Sequence, residues 1–209
     1  MCIDLDPQCN LSMIEGTDGE QPDIYSVLQG KAPAEKAIQR TETGYMIPGS
    51  RSLINHKPTT ANAVRSILKP LCKRFDYAVI DCGPALDQLT INALTAADIV
   101  LVPCKADRFS LDALQAFFET YTAAHSINHD LKIGIFFVIY NPRATANRLL
   151  QEQIISFADG AGITVYAPYI RRCITIEEAQ YMADLFSYAP RSNAAQDYNA
   201  LFTEIIGKV

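Results

Sequence analysis

The chain has 209 residues, 49% of them hydrophobic, and a formal net charge of -5. That is enough apolar content to bury a core in one domain, and too acidic a balance for the whole surface to serve as a nucleic-acid footprint. The longest apolar run, Ile133 to Tyr140, is interrupted by Gly134 and falls far short of the about 20 residues of a membrane-spanning helix, which excludes that class.

The start, Met1-Cys2-Ile3-Asp4, has neither the basic flank nor the long apolar stretch of a secretory signal, and the expected location is the cytoplasm. The six cysteines (Cys2, Cys9, Cys72, Cys82, Cys104, Cys173) are scattered, with no C-x-x-C pair. They read as small apolar filler in a reducing compartment.

Taken in chain order, apolar runs bounded by turn residues alternate with helix-period stretches, the pattern of an α/β protein built on a mostly parallel sheet. Strands are expected at Met1 to Leu5, Tyr45 to Ile47, Tyr77 to Ile80, Ile99 to Val102, Ile133 to Ile139 and Ile163 to Tyr166. Several are nearly all apolar, as strands covered on both faces must be. Helices are expected near Ile24 to Gln29, Thr60 to Lys73, Leu89 to Ala96, Ser110 to Ser126, Thr145 to Ala158 and Ile176 to Met182, with a last one after Pro190. Asp23, Thr60 and Ser110 are candidate caps, and Thr175 with Glu178 a capping box. Tyr198, Leu201, Phe202, Ile205 and Val209 recur at helical spacing and are expected to pack into the core.

In an open parallel sheet, ligands bind beyond the carboxyl ends of the strands. Two segments place acids there. In Ile3-Asp4-Leu5-Asp6-Pro7-Gln8, alternation puts Asp4 and Asp6 on the same side. In Tyr77-Ala78-Val79-Ile80-Asp81-Cys82-Gly83-Pro84, Asp81 ends an apolar strand. Carboxylates brought together in this way repel unless a cation lies between them, and magnesium with a nucleotide phosphate is the usual solution.

The neighbours of these acids make a specific pattern. Asp4-Leu5-Asp6-Pro7-Gln8-Cys9-Asn10 resembles the D-x-D-P-Q-x-N segment of the ParA, Soj and MinD group of deviant-Walker ATPases. Phe75 to Asp81 looks like that family's Walker B strand, Leu89 to Asp98 matches the stretch after it, and Val102-Pro103 with Phe109 to Leu114 is similar to its next strand and helix start. Ile139-Tyr140-Asn141-Pro142-Arg143 and Ile170-Arg171-Arg172 fall where the family has a tyrosine-aspartate-x-arginine turn and an isoleucine-proline-arginine strand end.

The resemblance implies a P-loop NTPase-like fold of the SIMIBI type, with helices on both faces of the sheet, and ATP and Mg2+ as ligands. By the same resemblance Asp6 orients the attacking water, Asp4 and Asp81 hold magnesium directly or through water, and Asn141 and Arg143 lie near the adenine side. Arg171, Arg172, Arg191 and Lys208 are the candidates for DNA contacts, with Glu177, Glu178, Asp184 and Asp197 interleaved among them.

The family's phosphate cradle, K-G-G-x-G-K-[ST], is absent from these 209 residues. The pattern starts at the strand before the acidic pair, so about one strand–helix unit, roughly 30 residues, is expected to be missing, and the chain as written to hydrolyse ATP weakly or not at all. Without that strand the sheet should leave backbone groups and apolar surface uncovered. Gly83, where the family commonly has proline, is expected to loosen the turn after Asp81.

The function implied is that of a homodimeric partition ATPase, binding DNA without sequence preference and stimulated by a ParB-like partner in plasmid or chromosome segregation, nucleoid-associated when active. The alternatives are a nucleotide-independent interaction module descended from such an ATPase, or a ParA-like ATPase that positions another cargo. The ending Leu201 to Val209 has one lysine and one glutamate, unlike the basic amphipathic helix of MinD-type membrane targeting, so no membrane partner is expected.

Overall fold

The computed structural model describes residues 1–17, 19, 21–182 and 184–208. The chain divides into two compact units: Met1–Asp98 with Thr120–Leu131, and Ile99–Glu119 with the residues from Lys132 onward.

The first unit runs β1 (Cys2–Asp4), α1 (Asn10–Ile14), α2 (Ile24–Leu28), α3 (Ala34–Ala37), β2 (Gln39–Arg40), β3 (Tyr45–Ile47), a 3-10 turn at Arg51–Asn55, α4 (Ala63–Leu68), β4 (Val79–Asp81) and α5 (Gln88–Ala96). Its sheet has the order β2-β3-β1-β4, in which β1 is parallel to both β3 and β4 while β2 is antiparallel to β3. Ile3, Leu5, Ile47, Leu53, Leu89 and Ala93 are buried together in its core. Among the described residues β4 pairs with β1 alone, and the side chains of Tyr77 and Val79 are 55% and 59% exposed.

Asp23 caps α2 as expected, its carboxylate accepting the N–H of Ser26 at 2.7 Å. Thr60 does not cap α4, which starts later, after Asn62. Instead the Thr60 carbonyl accepts from the Asn92 side chain. Asn92 is fully buried, and its amide is used at both ends: Nδ2 donates to the carbonyls of Thr60 (2.9 Å) and Gln88 (3.0 Å), and Oδ1 accepts the N–H of Ala63 (2.9 Å). Asn92→Ala leaves the half-buried N–H of Ala63 without its acceptor and empties a fully buried polar position, and is expected to lower stability by about 1–3 kcal/mol, read as a shift of the urea midpoint.

The second unit contains β5 (Ile99–Cys104), most of α6 (Arg108–His125), β6 (Lys132–Tyr140), α7 (Thr145–Ala161), β7 (Thr164–Val165), β8 (Ile170–Arg171), α8 (Ile174–Met182), α9 (Leu185–Tyr188) and α10 (Asn193–Ile206). Its strands are all parallel: β6 lies between β5 and β7, and further along it pairs with β8. The N–H and hydroxyl of Ser110 donate to the carboxylate of Asp107, each at 2.9 Å, so Asp107 rather than Ser110 supplies the acceptor at the start of α6. Thr175 likewise lies inside the first turn of α8, and Glu178 accepts from the hydroxyl of Tyr188.

Tyr198, Leu201 and Ile205 of α10 pack with Tyr166 and Ile170 as their spacing predicts. Phe202 is 61% exposed and belongs to the other face, and Val209 lies outside the described residues. Gly134 of β6 makes room for the buried ring of Tyr166: a Cβ there would collide with the ring edge. Gly134→Ala is therefore expected to cost about 1–3 kcal/mol, checked by chemical denaturation.

β8 lies where the resemblance places a strand end, whereas β2, α1, α3 and α9 fall in stretches that read as connections. None is longer than five residues, too short for a hydrophobic period to show.

Candidate active site

Parallel pairing of β1 with β4 sets Asp4 directly beside Asp81, and the N–H of Leu5 continues the pairing to the Asp81 carbonyl at 2.8 Å. Neighbouring strands lie about 5 Å apart, so two carboxylates share one strand end. Asp6, two residues on, closes the group. Its carboxylate accepts the N–H of Gln8 at 2.9 Å and lies against Gly83, where a Cβ would come within 3.1 Å of Oδ1. Gly83 lets the Asp6 carboxylate approach the backbone after β4.

The three acids differ in what they have left to offer. Asp4 is fully buried. Its Oδ1 accepts the N–H of Asp6 at 3.0 Å, and its Oδ2 accepts both the N–H (2.9 Å) and the hydroxyl (2.7 Å) of Ser12. Asp81 has its pKa raised, first by burial and then by the charges of Asp4 and Asp6. A raised carboxyl among like charges, with oxygen as the donor atom, suits a hard divalent cation.

Among the described residues no group of three or more His, Cys, Asp or Glu side chains is arranged to hold a metal ion. Asp6 also lines a cleft with Cys82, Gly83, Pro84 and Asp87. Asp87 closes that cleft by capping α5, accepting the N–H groups of Leu89 (2.9 Å) and Thr90 (3.2 Å).

The remaining candidates lie in the second unit. Asn141 and Arg143 are exposed on the turn after β6, where Asn141 Oδ1 accepts the N–H of Arg143 at 3.0 Å. Just before them the β6–β8 register shifts between Val138 and Tyr140, and Ile139 has φ 53°, a left-handed conformation rare for a β-branched residue. Of the four DNA-contact candidates, two are engaged within the protein. The Arg171 guanidinium grips Asp197 at 2.7 and 2.9 Å, and Lys208 pairs with Glu204 at 2.5 Å while lying over the ring of Tyr166. Arg172 and Arg191 are exposed, with no ion pair among the described residues.

Burial disfavours the charge on Asp197, but the hydrogen bonds from the side chain and backbone of Arg171 outweigh it and lower the pKa. A carboxyl depressed on folding contributes stability that is fully present above its unfolded pKa, near ~3.9, and is lost as pH falls through the folded value. Asp197→Asn is therefore expected to destabilise the protein at pH 7 and to make no difference in strong acid, by urea unfolding at the two pH values.

The sequence reading assigned no role to Ser12, Gly49 or Asp87, because their importance rests on contacts with residues far along the chain or on cap geometry. Gly49, following Pro48 at a strand end, carries a local signal for a turn, and Asp87, just before α5, one for a helix cap.

A family model described as "AAA domain" matches residues 1–133. The sporulation initiation inhibitor protein Soj of Bacillus subtilis is 31% identical over 220 residues, covering 98% of this chain and 85% of its own. The chromosome partitioning protein ParA of Myxococcus xanthus is 28% identical, covering 99% of this chain and 76% of its own. Among solved structures, cobyrinic acid a,c-diamide synthase from Mycobacterium smegmatis with a bound ATP analogue and magnesium superposes with a TM-score of 0.73 at 31% identity, over 82% of this chain and 71% of that one. With the D-x-D-P-Q segment and the Walker B-like strand side by side in an α/β fold, and with these relatives along nearly the whole chain, the protein belongs to the ParA and Soj family of partition ATPases.

Proposed function

We propose that this chain carries the hydrolytic half of a partition ATPase, acting on Mg-ATP when a phosphate-binding loop is supplied in addition to these 209 residues. The observation that carries the reading is the register of β1 against β4, which brings Asp4 and Asp81 together and leaves Asp6 facing the turn at Gly83.

In this reading Asp6 orients the water for in-line attack on the γ-phosphate. Asp81 is the carboxylate that holds magnesium, and Asp4 adds its charge from behind. Magnesium, when bound, would neutralise charge on the phosphates and offset the burial and like charges that raise Asp81. Asn141 and Arg143 belong to the adenine side. The ATP analogue and magnesium in the M. smegmatis relative support ATP and Mg2+ as ligands of this fold.

The ATP-bound form is a homodimer that binds DNA without sequence preference and answers to a ParB-like partner in plasmid or chromosome segregation. Of the four candidates, Arg172 and Arg191 have no ion pair among the described residues and are available for phosphate contacts, whereas Arg171 and Lys208 must first leave Asp197 and Glu204. Without the loop, ATP hydrolysis by the 209 residues is weak or absent.

The test is calorimetric titration of Mg-ATP into the 209-residue chain and into a form extended upstream by its own gene sequence. Binding by the extended form alone supports the reading. Folded protein that ignores Mg-ATP in both forms favours a nucleotide-independent interaction module instead.

A further inference from the structure

We infer that Ser12 is a positioning residue for the acidic loop: its hydroxyl ties Asp4 to the backbone of Gly49 and thereby holds Asp6 in place beside the turn at Gly83. The inference rests on the ATPase reading for its catalytic consequence, but the latch itself is a matter of geometry.

The hydroxyl of Ser12 donates to Asp4 Oδ2 at 2.7 Å and accepts the N–H of Gly49 at 2.7 Å, so one buried side chain closes contacts across eight and thirty-seven residues of chain. The N–H of Ser12 donates to the same carboxylate oxygen at 2.9 Å. The other oxygen of Asp4 accepts the N–H of Asp6 at 3.0 Å. A continuous chain of hydrogen bonds therefore runs from Gly49, just past β3, through Ser12 and Asp4 to the backbone of Asp6.

β1 lies between β3 and β4, and the two flanking strands fix its carboxyl end in different ways. On one side Asp4 is in register with Asp81. On the other, Gly49 is drawn so close that a Cβ would lie 2.9 Å from the Asp4 carboxyl carbon and 3.0 and 3.2 Å from its oxygens. Any residue other than glycine there would push the carboxylate away. With Asp4 held, the Asp6 N–H has a fixed acceptor, and the turn that follows is locked by Asp6 itself through Gln8 and by the N–H of Cys9 on the Asp6 carbonyl at 2.9 Å.

A free Asp4 could instead swing towards the cation site, and Asp6 would lose its reference point. Removing the hydroxyl alone leaves the Gly49 N–H without a partner and Asp4 one donor short. Threonine carries the same hydroxyl and can restore both bonds.

Two measurements decide it, one of them independent of ATP turnover. On the 209-residue chain, amide hydrogen exchange at Asp6 and Gly49 should accelerate about tenfold or more in Ser12→Ala and in Gly49→Ala, and stay near wild type in Ser12→Thr. Unchanged protection in Ser12→Ala overturns the latch. In the upstream-extended protein, Ser12→Ala should lower kcat for ATP by about ten- to a hundredfold with KM little changed, and Ser12→Thr should recover it. Wild-type hydrolysis with an undiminished kcat in Ser12→Ala overturns the positioning role. Absence of hydrolysis in the wild type counts against the ATPase reading alone, and the exchange experiment then still decides the latch. If Ser12→Ala does not fold, Gly49→Ala, which keeps the hydroxyl and displaces Asp4, answers both questions in its place.

Discussion

Replacing Asp6 by asparagine in the upstream-extended protein is expected to slow ATP hydrolysis by about a hundredfold or more while Mg-ATP binding changes only a few-fold. Positioning a proton-accepting carboxylate at the attacking water is worth about 10²–10⁴ in rate. Asparagine keeps an oxygen for the N–H of Gln8 and fits the space beside Gly83 as the carboxylate does, so the turn should survive. What it cannot do is carry the negative charge that aligns the water. Asp6→Ala should lose the same activity and some stability as well, since it also removes the acceptor for Gln8. Steady-state turnover together with calorimetry separates the two effects. Hydrolysis by Asp6→Asn within threefold of wild type would remove Asp6 from the reaction.

Asp81→Asn should move stability and ligand affinity in opposite directions. Burial and the neighbouring charges of Asp4 and Asp6 raise the Asp81 pKa. A carboxyl raised on folding binds protons more readily in the native than in the unfolded state. Stability is therefore highest below the unfolded pKa and falls as pH rises through the folded value. Once ionised, Asp81 carries a charge that burial and its neighbours disfavour and that a cation would relieve.

Asparagine removes the charge and the pH-dependent decline. In magnesium-free buffer the variant should be more stable than wild type at pH 7.5 and indistinguishable in strong acid. Its affinity for Mg-ATP, measured on the extended protein, should fall by about tenfold or more, as expected when a charged contact to a metal is lost. This opposition of stability and function is common where like charges are gathered for a ligand. Urea unfolding across the pH range checks the first part, and a variant less stable than wild type at pH 7.5 would refute it.

The main elements were legible because they are long and periodic, or apolar on both faces. Tyr45–Ile47 was placed to the residue, and β5, β6, α5, α6 and α7 to within three residues at each end. The boundaries that moved have local causes. α4 starts only at Ala63, where the buried amide of Asn92 accepts the N–H of Ala63 and donates to the carbonyl of Thr60 before it. α6 starts at Arg108 because Asp107, not Ser110, meets the first free N–H groups. The basic residues near the C-terminus look equivalent in sequence, yet the fold pairs Arg171, at the end of β8, with Asp197 and leaves Arg172, one residue past the strand, exposed.

The identity of the acids and their places at the ends of apolar runs follow from sequence alone. An alternating run ended by Asp4 and Asp6, and an apolar run ended by Asp81, can hardly form anything but strands that carry carboxylates at their carboxyl ends. Their division of labour does not follow. Asp4 and Asp6 look alike two residues apart, and nothing local tells which is committed to the backbone and which is free to face a ligand. That is settled by Ser12, Gly49 and Gly83, whose hydroxyl, N–H and missing side chains reach the site only when β3, β1 and β4 lie side by side. Hydrogen bonds and close approaches between distant parts of the chain exist only after the strands pair, so they leave no periodicity to read beforehand.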